Sequence, residues 1–270
     1  MKKLGIMLLA MLVLVGCSSK PAETTPTTET TNTPTEETTT SWNESLVQDG
    51  IISIGVSPDY PPYEALDTNN QIIGFDVDFM TLIVDTLNAV EGTEYKLEWV
   101  QMDFSTIISS IQMDQVDLGV SGFTYDEERD VLFSTPYTDS ATVVVVNPDS
   151  DIKTIDDLKG KVLAAQLGAT GETAAKNVEG AEVNSIANVN IMMESLKNNA
   201  YDAVIIDKPV AENYVKNAGF VMLEEPIQDD KNYIIAKKGN TALMDKINEI
   251  IEEVKQTEEY QEILEKWELN

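Results

Sequence analysis

Apolar residues recur along this chain with two periods, and their alternation outlines its organisation. The runs at 51–56, 95–100 and 117–120 read as strands, the first of them buried. Residues 76–88 and 104–113 carry apolar positions at helical spacing, with Asp76 the expected N-cap of the first helix. This βαβα order predicts a mainly parallel sheet covered by helices. A β-branched run at 142–146 ends at Asn147-Pro148, and the same grammar then restarts. Strand 161–165, helix 170–178, helix 189–198, strand 203–206 and a helix from about Lys208 follow in turn. Residues 233–236 are expected as a strand, and Leu243, Ile247, Ile250, Ile251 and Val254 make one apolar helix face that needs a partner to cover it.

The first residues do not fit this pattern. Residues 1–16 have a lysine-bearing start, an apolar run and then small residues, the pattern of a secretory signal, and the run is too short for a comfortable membrane span. Leu14-Val15-Gly16-Cys17 resembles the bacterial lipobox, so Cys17 is expected to be lipidated and to hold the protein at the outer face of a membrane. Residues 17–41 are Thr, Pro and Glu with almost no apolar member and read as a disordered tether. No later segment is apolar enough to cross a bilayer, so the expectation is a protein that is anchored and does not span.

Charge and residue usage narrow the chemistry. A formal net charge of −29 argues against nucleic acid, which requires a basic face, and suits a small or cationic partner. Cys17 is the only cysteine and histidine is absent, which excludes an internal disulfide, thiolate metal sites, the usual zinc sites and Ser-His-Asp or Cys-His catalysis. Carboxylate and lysine chemistry remain open. No cofactor is expected, and the folded part is expected to be a monomer.

One residue stands out: Arg129, within Ser121-Gly-Phe-Thr-Tyr-Asp-Glu-Glu-Arg-Asp130, is the single arginine of the chain. It reads either as an exposed partner of Asp126, Glu127 or Asp130, of little energetic weight, or as a planar, permanently charged fork for a carboxylate, which lysine cannot imitate. Asp207 follows an apolar strand, where open α/β sheets place ligands, and it would equally serve as the cap of a helix opening at Lys208-Pro209.

Six segments carry a family resemblance in order along nearly the whole chain after the tether. They are GVSPDYPPYE from Gly55, GFDVDF from Gly74, SGFTYDEER from Ser121, FSTPY from Phe133, QLGATGE from Gln166 and DAVIID from Asp202. Together they resemble the polar-amino-acid-binding proteins of ABC importers, the extracellular solute-binding proteins of family 3. The resemblance implies two Rossmann-like α/β lobes joined by a two-strand hinge, the type II periplasmic-binding-protein-like fold, closing on a ligand. Lobe one would take residues 42–146 and 230–270, and lobe two residues 147–229. The extended segments 143–146 and 232–236 are placed to be the hinges.

The same resemblance implies ligand contacts position by position. Arg129 would hold an α-carboxylate, with backbone N–H groups near Thr124 and, from the other lobe, near Thr170 and Gly171, where a helix begins. Asp207 would accept the α-ammonium, helped by Ser121 and Thr124, and Gly122 belongs to the same implied set. Tyr60 and Phe104 would flank the ligand side chain, although spacing alone puts Phe104 in a helix core. Ser57 belongs to the implied set, but relatives that prefer basic ligands often have an acid there, so an L-amino acid with a polar or modest side chain is expected. Asp59 and Glu64 are candidate substitutes for that acid; Tyr63 and Glu64 are placed near the side-chain pocket, Glu64 equally as a solvated strand residue. Phe75, Asp76 and the FSTPY segment are assigned to structure.

The implied function is capture of an L-amino acid and its delivery to permease subunits of an ABC transporter, at the extracytoplasmic face of a cell membrane. Two other classes compete. Some proteins of this fold are enzymes, such as dehydratases of aromatic precursors, in which a carboxylate such as Glu172 or Asp207 would move a proton. A receptor sensor domain would require a membrane span and a signalling module, neither of which is seen in this sequence.

Overall fold

The computed structural model describes residues 50–269; the expected signal segment, Cys17 and the tether lie outside them. The chain runs through β1 (Ile51–Val56), β2 (Asp59–Tyr60), β3 (Glu64–Leu66), β4 (Ile72–Ile73), α1 (Phe75–Glu91), β5 (Lys96–Gln101), α2 (Phe104–Gln112), β6 (Leu118–Gly119) and β7 (Val131–Phe133). It continues through β8 (Thr138–Val146), a 3-10 turn at Ile155–Leu158, β9 (Val162–Gln166), α3 (Thr170–Lys176), β10 (Glu182–Ile186), α4 (Val189–Lys197), β11 (Ala203–Asp207) and α5 (Lys208–Ala218). Next come β12 (Val221–Met222), β13 (Gln228–Asn232), β14 (Ile235–Lys237), α6 (Thr241–Val254) and α7 (Glu258–Trp267).

Two α/β lobes result, each built on its own sheet. The first sheet has the order β5-β1-β6-β14-β7, with β1 parallel to β5 and β6 and with β14 antiparallel to its neighbours. The second has the order β10-β9-β11-β8-β12, parallel from β10 to β11 and antiparallel where β8 joins, with β13 also pairing β8. The antiparallel members are the strands on which the chain changes sheet. β2, β3 and β4 form a small meander beside the first lobe.

The crossings differ from the expected hinge segments. Val143–Val146, expected as a hinge, lies inside the second sheet between β11 and β12 and is buried throughout. A continuous β-branched run suits a strand covered on both faces, which is why it sits in a sheet interior. The chain changes sheets earlier, between Phe133 and Thr138, and returns between Asn232 and Ile235. These segments run side by side: Ser134 N–H donates to the Ile234 carbonyl (2.9 Å) and Tyr137 N–H to the Asn232 carbonyl (3.0 Å).

Packing explains the helix positions. The apolar face of α6 predicted from Leu243 to Val254 is buried in the same core as Phe79, Ile83 and Leu87 of α1. Phe75, Phe79, Tyr137 and Tyr260 stack in that core with ring centroids 5.0–6.4 Å apart. Asp76 is not the cap of α1: the N-cap is Gly74, and Asp76 lies in the first turn, fully buried, with Oδ2 accepting the Gly122 N–H at 3.3 Å. Among the described residues no helix is long and apolar enough to cross a membrane.

Candidate functional site

The loops at the carboxyl ends of the parallel strands converge on a cavity between the lobes. Its lining from the first lobe is Tyr60 on β2, Phe104 at the start of α2, Ser121, Gly122 and Thr124 after β6, and Arg129 before β7. From the second lobe come Gln166 at the end of β9, Ala169, Thr170 and Gly171 at the start of α3, and Ile205 to Asp207 at the end of β11. Nine of the ten ligand-contact positions named from the sequence therefore meet around one space. Two glycines let backbone approach closely. Gly122 has φ 59°, and a Cβ there would stand 3.2 Å from the Tyr60 ring; at Gly171 a Cβ would stand 3.0 Å from the Ile205 carbonyl oxygen.

Ser57 is the exception. It lines a separate, wider groove of about 590 Å³ with Asp59, Asp103 and Asn188, and reaches the cavity only through its N–H, which donates to Ser121 Oγ at 3.1 Å. Its hydroxyl is turned away, donating to Asp59 Oδ1 at 2.9 Å. Tyr63 and Glu64 do not line the cavity either; both are fully buried behind it, so Glu64 is not a solvated strand residue.

Arg129 is not held by a surface acid. Its guanidinium donates to the Thr124 carbonyl and, across the cleft, to the Gly168 carbonyl, each at 3.0 Å. The guanidinium carbon lies 5.7 Å and 5.3 Å from the centroids of Phe104 and Phe123, whose rings stack 4.6 Å apart. Aromatic faces attract a cation and position it without neutralising it. Asp130, one of the candidate surface partners, pairs instead with Lys238 (2.7 Å). Phe104 is thus both helix-core residue and cavity wall.

Asp207 faces the same space from β11 and is 5% exposed, with no helix-capping bond from its side chain. Burial, and secondly the charge of Asp230, pushes its carboxyl up to about 7, against the Tyr60 hydroxyl and Arg129. The Tyr60 hydroxyl accepts the Asp207 N–H at 3.3 Å and stays protonated, since burial and then the nearby Asp207 charge raise it well above its ordinary value.

The lobes meet closely. Thr124 Oγ1 and Thr170 Oγ1 are 2.7 Å apart, and the remaining open volume is about 10 Å³, room for about one water. Gln166, 3% exposed, lines the cavity with a side-chain Nε2 that has no hydrogen-bond partner. It was not singled out from the sequence, although it opens the QLGATGE segment. Glu172 lies behind this wall: it accepts from Lys176 (2.6 Å), from the Gly168 N–H (2.8 Å) and from the Ser185 hydroxyl, so both oxygens are engaged.

The chain matches the bacterial extracellular solute-binding proteins, family 3, over residues 52–270. It is 31% identical over 223 residues to the arginine-binding extracellular protein ArtP of Bacillus subtilis (strain 168), covering 79% of this chain and 84% of that protein. Among solved structures, the P235GK mutant of ArgBP from T. maritima is 33% identical with a TM-score of 0.77, covering 85% of this chain and all (100%) of that one. An ancestral arginine-binding protein, solved bound to arginine and bound to glutamine, is 36% identical with TM-scores of 0.75 and 0.74, covering 81% of this chain and 98% and 97% of those chains. The chain belongs to the bacterial extracellular solute-binding proteins of family 3.

Proposed function

We propose that the protein captures an L-α-amino acid between its lobes and delivers it to the permease of an ABC transporter. The observation that carries this reading is the placement of Arg129 and Asp207 on different lobes around one cavity. A zwitterion offers a carboxylate and an ammonium on adjacent atoms, so a fixed guanidinium and a buried carboxylate complement it charge for charge. Arg129 holds the carboxylate, with backbone N–H groups near Thr124 and at Thr170 and Gly171. Asp207 takes the ammonium, helped by Ser121. Tyr60, Phe104 and the Gln166 amide surround the side chain.

An amino acid does not fit in about 10 Å³. Entry therefore requires the Thr124–Thr170 and Arg129–Gly168 contacts to part, by rotation of the lobes about the crossings at 134–137 and 233–234. The lobes divide at these crossings. The two lining charges have opposite sign, which favours a ligand with a polar, uncharged side chain; ArtP and the ancestral relative, with arginine in their names, make arginine the cationic candidate to set against glutamine. The working form is a monomer tethered to the outer face of the membrane through Cys17.

A thermal-shift screen of residues 42–270 against the L-amino acids, their D-enantiomers and their decarboxylated analogues tests the reading. Ligand bound to the folded state raises its stability with the logarithm of concentration over Kd. One or a few L-amino acids are expected to raise Tm, their decarboxylated analogues not. No response to any L-amino acid at millimolar concentration would overturn it.

A further inference from the structure

Behind the cavity wall lies a buried acidic pair that the ligand contacts do not use. Glu64 and Asp76 are both fully buried, and the charge of Asp76 is among the causes that raise the Glu64 carboxyl. Glu64 Oε1 accepts the Ser121 hydroxyl at 2.6 Å and Asp76 Oδ2 accepts the Gly122 N–H at 3.3 Å, so each carboxyl holds one residue of the cavity wall. The other two oxygens, Glu64 Oε2 and Asp76 Oδ1, are buried without a hydrogen-bond partner, as is the Tyr137 hydroxyl. Two charged carboxylates are disfavoured together in a buried site, and a proton kept on one of them relieves the cost. Burial above all, and then the charge of Asp76, raises Glu64 well above its ordinary value, and burial raises Asp76 to about 7, in keeping with a retained proton.

The position of that proton decides what Ser121 offers. A hydroxyl has one proton and two lone pairs. With the retained proton on any oxygen but Oε1, Glu64 Oε1 remains a pure acceptor and takes the Ser121 proton. One Ser121 lone pair accepts the Ser57 N–H at 3.1 Å. The remaining lone pair is all that Ser121, 2% exposed, can turn toward the cavity.

We propose that Glu64, which touches no ligand, is a positioning residue that locks Ser121 as an acceptor, so that this wall admits an N–H donor and rejects an acceptor. Resting on the amino-acid reading above, it assigns Ser121 to an ammonium, guanidinium or amide N–H. It also gives a physical role to a glutamate 57 positions from the serine it orients.

Two experiments test this. Neutron diffraction from deuterated crystals, which needs no ligand, is expected to place the Ser121 deuteron toward Glu64 Oε1 and any carboxyl deuteron of the pair on another oxygen. A Ser121 deuteron pointing into the cavity, or a deuteron on Glu64 Oε1, overturns the proposal whether or not amino acids bind. In calorimetric titration with L-glutamine and L-arginine, Ser121→Ala and Glu64→Met are each expected to weaken binding about tenfold. The double variant should be no weaker than either single one, because both remove the same acceptor. Glu64→Gln, whose amide oxygen still accepts while its N–H faces Asp76, should recover most of the loss. Additive losses, or a Glu64→Gln protein as weak as Glu64→Met, overturn the positioning role. A parent protein that binds neither probe leaves the amino-acid reading to the full screen of L-amino acids and the lock to the neutron result.

Discussion

Thr124 of the first lobe and Thr170 of the second meet hydroxyl to hydroxyl at 2.7 Å, across the cavity that Arg129 and Asp207 share. Beside them the Arg129 guanidinium reaches over to the Gly168 carbonyl, and the Tyr60 hydroxyl meets the Asp207 N–H. Each of these residues also stands where a zwitterion is proposed to bind. On the proposed function, closure and recognition would draw on the same donors and acceptors, and a ligand would replace contacts the lobes otherwise make with each other.

Arg129 provides the sharpest test. Lysine keeps the charge but loses the fork and the flat face that rests on Phe104 and Phe123. Charged hydrogen bonds are worth about 1.5–3 kcal/mol, and a poorly matched buried charge costs about 2–5 kcal/mol. Arg129→Lys is expected to weaken binding of the best L-amino acid by roughly tenfold to a thousandfold in calorimetric titration, with an unchanged circular dichroism spectrum. An affinity within about threefold of the parent would reduce Arg129 to a surface residue.

Asp59 ties the lobes away from the cavity. Its Oδ2 accepts the N–H of Val189, the first residue of α4, at 2.7 Å, so a first-lobe carboxylate satisfies a free donor at a second-lobe helix start. Asp59→Ala should favour the open form, enlarging the radius of gyration in small-angle scattering and weakening ligand binding about five- to thirtyfold, the equivalent of about 1–2 kcal/mol. Unchanged scattering and unchanged affinity would remove the latch.

Asp207 predicts a pH dependence. Its carboxyl titrates at about 7 when no ammonium is present, against an ordinary value of 3.8, because burial disfavours the charge. An ammonium partner requires the ionised form, so binding below about pH 7 releases a proton and affinity rises with pH up to that point, by about tenfold per unit at most. For the ligand-free fold the sign is opposite: a raised folded value contributes stability below about pH 4 that is lost as pH rises to about 7. Calorimetry in phosphate and in Tris at pH 6 should give different apparent enthalpies; identical values would show that Asp207 does not titrate on binding.

The proposed membrane attachment rests on Cys17. Cells expressing Cys17→Ser are expected to yield the protein in the soluble fraction with its ligand affinity intact, since the residue precedes the fold by more than a tether's length of chain. Processed protein that still sediments with membranes would refute lipid anchoring.

The sequence was sufficient for the order of the main strands and helices and, through the family resemblance, for the type of fold and most of the cavity wall; the short strands β2 to β4, and β7, β10, β12 and β13, were not legible in it. Apolar periodicity is a local property of the chain, and it marked β1 at its observed bounds and the buried face of α6. Position alone left Arg129 open between a surface pair and a carboxylate fork, and Asp207 between a helix cap and a ligand contact; the family resemblance singled them out as partners. Tertiary structure decided the rest, through contacts that no local pattern encodes. Val143–Val146 is extended in any reading, and only strand pairing shows it inside a sheet. Ser57 turns from the cavity because its hydroxyl finds Asp59, and Gln166 enters the wall because β9 ends there. Glu64 is as plausible in solvent as in a core until the fold brings Ser121 and Asp76 against it. Burial and charge partners separated by tens of residues set the protonation of such a group, and both exist only once the lobes are assembled.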